Sequence, residues 1–232
     1  MIDEPALSKL LQTLAHDLRG SLGANATFAK MLTEEYADVL DERALRWLCL
    51  MSNEYAKSQQ KLDGLNEYAR FFNYQPRFET CDVKNMLNEC LSDKSLQNIS
   101  ILACHLDNCN GVEIVSDPEL LSMVFLELFK NTLRHAKPAN ESGSLECDIA
   151  YTNVNHQHSI SYVDNGTAID GKDIDFILLP FKAVKKASHD LVNCGLGLSK
   201  VKQIVRVLNG KIEFSLGRKS FKGLQVTITL PI

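Results

Sequence analysis

His16 is followed directly by Asp17 in the run Ala15-His16-Asp17-Leu18-Arg19-Gly20-Ser21-Leu22. An imidazole beside a carboxylate can act as a nucleophile, because its second ring nitrogen has a neighbour to orient or accept the proton. A single histidine on a helix can equally be an ordinary surface residue, so the pair needs a second site that could serve it. Glu127, Asn131, Arg134 and His135 stand at i, i+4, i+7 and i+8, which puts them on one helix face. Oxygen ligands followed by cations could hold a hydrated Mg²⁺ and polyphosphate oxygens together, although an amphipathic surface helix would present the same stripe. Asp164-Asn165-Gly166 follows a strand-like run. It could be a tight turn, or a carboxylate that accepts from an exocyclic amine beside a glycine that lets a flat ring approach. Asn193-Cys194-Gly195-Leu196-Gly197-Leu198 runs into a helix expected from Leu196 to Leu208. Bare N–H groups and the helix dipole there would favour a phosphate, while two glycines at this spacing also suit a plain turn.

The elements that must position these groups fall into two parts. From Leu45 the series 45, 48, 52, 55, 59, 62, 66, 69 steps by three and four, and upstream Leu7, Leu11, Leu14 and Leu18 repeat the step. The two patterns meet around Tyr36 to Glu42, where Asp38 and Asp41 offer N-cap oxygens, so a long antiparallel helical hairpin is expected. Two helices bury too little on their own, and pairing of two hairpins into a four-helix bundle would seal both stripes. After Pro76 short strand-like runs alternate with helices, the pattern of an α/β sandwich. The clearest helix start is Asp117-Pro118-Glu119: a capping carboxylate, proline at the first helical position, then an acid at the positive end of the dipole. The expected domains are residues 1–76 and 77–232.

Composition narrows the function classes. With 45% hydrophobic and 23% charged residues the chain is an ordinary globular one, which excludes disorder and collagen. The net charge of −4 gives no general attraction for nucleic acid or anionic lipid, so an anionic ligand needs a local site. No apolar run approaches the roughly 20 residues that cross a bilayer, and the first residues do not read as a secretory signal, so a cytoplasmic setting without a membrane segment is expected. Seven cysteines in an odd set without a CxxC pair point to reduced thiols rather than a disulfide framework or zinc site. His156 and His158 lie in a polar stretch that reads as a hairpin turn.

Taken together, the motifs resemble those of the transmitter core of a bacterial two-component sensor histidine kinase, and the likeness spans nearly the whole chain. Residues Ala15 to Leu22 resemble the phospho-acceptor box, Glu127 to His135 the N box, and Asp164 to Asp170 the first glycine box. Pro180-Phe181-Lys182 resembles the F box and Gly195 to Leu198 the second glycine box. The resemblance implies an α+β chain: a dimerising, phospho-accepting hairpin (1–76) forming a four-helix bundle with a second copy, then a catalytic ATP-binding domain (77–232) of the GHKL type. It implies ATP and Mg²⁺, with Asp164 on the adenine amine, Gly166 beside the ring, Asn131 on Mg²⁺ and Glu127 as a further metal ligand or base. Gly195, Leu196, Gly197 and Leu198 would cradle the phosphates, aided by Arg134, His135 and Lys182, with Lys130, Lys185 and Lys186 adding positive charge. His16 would attack the γ-phosphorus with Asp17 beside it, and the phosphoryl group would pass to an aspartate of a response-regulator receiver.

Departures from the family pattern carry expectations of their own. Gly20 stands four residues after His16, where the family's phosphatase activity uses a Thr or Asn side chain, so receiver dephosphorylation should be weak. Ala168, Asn193 and Leu224 replace two glycines and a threonine common near the nucleotide. A phosphotransfer and docking protein with a degenerate nucleotide domain is the alternative, and a family ATPase that makes no use of His16 is a third. If Met1 is the natural start, the input signal must come from a separate partner protein acting in trans.

Overall fold

The computed structural model describes residues 3–96, 102–136, 145–166, 171, 174–182, 195–217 and 221–232. The chain divides into two compact units, Met1–Asn73 and Tyr74–Ile232.

The first unit is a hairpin of two long helices, α1 (Glu4–Tyr36) and α2 (Glu42–Arg70). Asp3 caps α1 through the N–H of Ala6, with Pro5 in the first turn, and Asp41 caps α2 through Ala44 N at 2.7 Å. Of the two expected caps only Asp41 serves, because Asp38 lies inside the connecting turn. The α2 stripe faces α1 as its spacing predicts: Leu48, Leu62 and Ala69 are buried and Leu45, Tyr55, Gln59 and Asn66 half-buried. On α1 the expected stripe holds at Leu7 and Leu11, both half-buried, and is corrected at Leu14 and Leu18. Ser8, Ala15 and Ala29 are the buried residues, with Leu11, Arg19, Leu22 and Ala26 half-buried between them, whereas Leu14 and Leu18 are about half exposed. The small side chain of Ala15 takes the seam in place of Leu14, and Arg19 in place of Leu18, one position on in each case. Ser8 Oγ closes the open end of the hairpin by donating to Ala69 O at 2.7 Å.

The second unit is a two-layer α/β fold. Its elements are β1 (Glu79–Asp82), α3 (Val83–Leu91), β2 (Leu102–Asp107), β3 (Glu113–Ser116), α4 (Pro118–His135), β4 (Leu145–Val154), β5 (Gln157–Asp164), α5 (Ile174–Ile177), α6 (Gly197–Val207), β6 (Lys211–Leu216) and β7 (Leu224–Pro231). Five strands form one sheet in the order β2-β4-β5-β7-β6, parallel between β2 and β4 and antiparallel elsewhere, while β1 and β3 pair separately. Alternation along β4, β5 and β7 turns Ile149, Ile160 and Ile228 inward, where they form the core with Phe125 and Phe129 of α4 and Ile204 of α6. α4 starts where its residues predict: buried Asp117 accepts from Leu120 N at 3.0 Å, and its other oxygen takes Arg77 N at 2.8 Å. The β4–β5 turn has positive φ at Asn155 and His156, as a two-residue turn with the hand of the strands requires. His158 is not in that turn. It sits buried on β5 with Nδ1 2.8 Å from Tyr151 Oη, and burial lowers its pKa.

Candidate functional site

In the first unit, α1 presents His16 to solvent directly after the fully buried Ala15. The imidazole is 84% exposed, and its Nδ1 lies 3.2 Å from Asp17 Oδ1. A carboxylate at Nδ1 favours the tautomer that carries its proton there, which leaves the Nε2 lone pair facing outward as the nucleophile. One turn on, Arg19 Nη2 reaches Asp63 Oδ1 at 2.6 Å and ties the two helices together beneath this stretch. A Cβ at Gly20 would meet nothing within 4 Å, so packing in this chain does not demand glycine there.

In the second unit, α4, the end of β5 and the start of α6 gather most of the remaining candidates. Asp164 ends β5 as a buried carboxylate. Its Oδ1 accepts from Gly166 N at 2.9 Å, the N–H of Leu224 also donates to the carboxylate, and Thr132 Oγ1 lies 3.5 Å from Oδ2. Burial raises the Asp164 pKa, and the three donors oppose that rise. A carboxylate has about four acceptor sites, so one more donor, such as an exocyclic amine, fits. Leu224 has no hydroxyl to offer, but its backbone N–H serves Asp164 all the same. A side chain at Gly166 would strike Ala136 Cβ at 2.6 Å, and one at Gly223 would strike the Asp164 carboxylate, so both glycines are needed to pack around this group.

Glu127 is not a free carboxylate. Its Oε1 lies 2.6 Å from Nζ of Lys200 on α6, with both side chains nearly buried. Its Oε2 would be 3.0 Å from a Cβ at Gly197, so the glycine admits the carboxylate against the first turn of α6. Gly195 has φ +68°, and a Cβ there would collide with the backbone of Phe181 and Lys182. Its carbonyl accepts from Phe181 N at 2.8 Å, which joins the segment resembling the F box to that resembling the second glycine box. Leu196 and Leu198 are buried, which leaves only their backbone for a ligand. Asn131 and Arg134 follow Glu127 along α4, both half-buried. His135 ends that helix with its pKa lowered by burial and then by the Arg134 charge, which keeps the ring neutral. Lys182 Nζ stands 5.5 Å over the Phe176 ring. Ala168, Asp170, Lys185, Lys186, Asn193 and Cys194 lie outside the described residues.

Among the described residues no group of three or more His, Cys, Asp or Glu side chains is placed to hold a metal. The donor set suits Mg²⁺, which takes one or two protein oxygens and completes its shell with water and phosphate. Lys200, Thr132 and Tyr162 escaped the motif reading. The signal for Lys200 was a cation four residues before the core residue Ile204, on the apolar face of α6. Thr132 and Tyr162 looked like ordinary core positions.

The family profile described as "Histidine kinase-, DNA gyrase B-, and HSP90-like ATPase" matches residues 116–232. Sporulation kinase D of Bacillus subtilis (strain 168) is 23% identical over 235 residues, covering 97% of this chain and 42% of that protein. Cyanobacterial phytochrome B of Nostoc is 23% identical over 205 residues, 85% of this chain and 26% of its own length. The chain thus spans less than half the length of these relatives. Among solved structures, full-length ShkA in complex with AMPPNP superposes with a TM-score of 0.64 at 15% identity, over 96% of this chain and 45% of that one. The Acinetobacter baumannii histidine kinase AdeS gives 0.59 at 19% identity, over 93% and 97%. These likenesses show a common fold. No helix among the described residues is long and apolar enough to cross a membrane.

Proposed function

The chain belongs to the histidine kinase-, DNA gyrase B- and HSP90-like ATPase family, and from that premise we propose that it is an ATP-dependent histidine autokinase that phosphorylates His16. The observation that carries this reading is an exposed imidazole, set on a carboxylate at 3.2 Å, on a helical hairpin in the same chain as the ATPase fold. In its simplest form the hairpin supplies the acceptor and the second unit holds the nucleotide.

The residues divide the work by chemistry. Asp164 accepts the adenine amine, and its neutral donors keep it ready to do so. Asn131 offers an amide oxygen to Mg²⁺, while Arg134 and Lys182 add positive charge. Bound ATP with Mg²⁺ would supply the γ-phosphoryl group and neutralise charge on it. Glu127 is held in place by Lys200, so we assign it the positioning of the α4–α6 corner, with Asp17 beside the acceptor's proton. His16 Nε2 forms the new N–P bond as the bond from phosphorus to the β–γ bridging oxygen breaks, ADP leaves, and the Nδ1 proton is stabilised by Asp17.

The proposed assembly is a homodimer. Leu10, Leu14 and Leu18 on α1 and Trp47, Leu50 and Met51 on α2 are all about half exposed, and a second copy would cover them as a four-helix bundle. The phosphoryl group would pass to an aspartate of a response-regulator receiver in the cytoplasm. Incubation of the protein with Mg²⁺ and γ-labelled ATP should give an acid-labile label that is absent in His16→Gln. Phosphate release without label would overturn the acceptor role. The absence of both, with nucleotide-independent transfer from one receiver to another, would replace this reading with the phosphotransfer one.

A further inference from the structure

Where β2 and β4 run side by side, Cys104 is the register partner of Cys147. Neighbouring strands lie about 4.8 Å apart, and residues in register turn to the same face of the sheet. That spacing falls within the range of about 4.4–6.8 Å between the Cα atoms of disulfide-linked cysteines. The two thiols are close enough for Cys104 to be the first influence on the acidity of Cys147. They differ in access: Cys104 is partly exposed on β2, an edge strand, while Cys147 is fully buried.

Cys147 also faces inward along a polar chain. Its other register partner is Asp164 on β5. Tyr162, two residues before Asp164 and on the same face of β5, has its Oη 2.5 Å from Thr132 Oγ1, and Thr132 Oγ1 is 3.5 Å from Asp164 Oδ2. A change at the edge thiol therefore reaches the carboxylate at the end of β5 through the register neighbours Cys147 and Asp164, beside the Tyr162–Thr132–Asp164 hydrogen bonds.

We propose that Cys104 and Cys147 are an oxidisable dithiol, a modification site that closes to a disulfide under peroxide and weakens nucleotide binding through Tyr162, Thr132 and Asp164. Cys104 is the sulfur that meets the oxidant. The neighbouring Cys104, followed by burial, pushes the Cys147 thiol far above its usual range, so Cys147 acts second. The Cys104 thiolate attacks one oxygen of hydrogen peroxide, the O–O bond breaks, and hydroxide leaves as water once protonated. Cys104 is now a sulfenic acid. The Cys147 sulfur attacks the Cys104 sulfur, the S–O bond breaks, and a second water leaves with the Cys147 proton. Two thiols and one peroxide thus give one disulfide and two waters, with two electrons passing from sulfur to oxygen. Drawing the Cys147 sulfur toward β2 shifts its packing against β5, where Asp164 is its register partner, and unsettles the Thr132 donor to Asp164.

The effect on nucleotide rests on the proposed ATP site, whereas the disulfide does not. The test treats the full protein with hydrogen peroxide, blocks free thiols, and maps peptides by mass spectrometry without reduction, with ATP affinity measured in parallel by calorimetry. A linked Cys104–Cys147 peptide is expected, reversed by dithiothreitol and absent from Cys104→Ser. ATP affinity should fall about fivefold on oxidation, the scale of one hydrogen bond, and recover on reduction. Cys104→Ser should bind ATP equally well before and after peroxide. No linked peptide, or Cys104 linked elsewhere, overturns the site. A linked peptide with unchanged affinity overturns the route to Asp164. If the reduced protein binds no ATP, the kinase reading and the affinity effect both fail, while the peptide map still decides the disulfide.

Discussion

Asp17 can be isolated from its neighbours because both it and His16 are exposed, so its replacement removes one hydrogen bond and leaves the packing intact. Asp17→Asn keeps an acceptor near Nδ1 but loses the charge that stabilises a proton there. Autophosphorylation should slow by ~10²-fold with ATP affinity unchanged, as single-turnover labelling would show. Asp164 makes the opposite trade. Burial raises its pKa, so the folded state holds the proton more readily than the unfolded chain does. The stability this group contributes is present below the ordinary carboxylate range and is lost as pH rises through the raised folded value. At neutral pH the ionised carboxylate therefore costs stability. Asp164→Asn should melt higher than wild type at pH 7, the gap closing as pH falls into the carboxylate range, while ATP affinity drops about tenfold or more. A lower melting temperature for the variant at pH 7 would contradict the role of burial.

At the scale of elements, α4 and α6 are joined by the Glu127–Lys200 pair, and both helices are positioned by it. Removing one partner leaves a buried charge alone, so Lys200→Met should destabilise the second unit by about 3–5 kcal/mol in urea unfolding. Glu127→Gln combined with Lys200→Met should recover much of that loss, which a merely additive pair would not do. The hairpin carries a different burden. Its own seam is built from Ser8, Ala15 and Ala29, which leaves the Leu14 and Leu18 face outside. Leu14→Lys with Leu18→Lys would put unpaired cations into the proposed bundle core. Dimerisation should weaken by about 100-fold or more in sedimentation velocity, with helical content retained.

For the whole molecule, two units with separate cores should respond to separate variables. ATP at 100 times its dissociation constant should stabilise the second unit by about 2.7 kcal/mol, and protein concentration should shift the melting of the first, as calorimetry across both variables would show. Much of this organisation was written in the sequence. Helical and strand periods, the capping residues Asp41 and Asp117, and the motif order are local properties, and a local rule turns them into elements. α4 begins at Pro118, where Asp117-Pro118-Glu119 predicts a helix start. Three-dimensional packing decided the rest. Which α1 positions face α2 depends on how the two helices pack, and past Leu11 the seam takes Ala15 rather than Leu14. Whether Glu127 is free depends on Lys200, 73 residues away, and whether Cys104 has a partner depends on the register of a parallel strand pair. The sequence by itself determined which groups are present and which elements carry them. Only the tertiary structure decided which of those groups meet, because a buried carboxylate or thiol takes its chemistry from the atoms that fold against it.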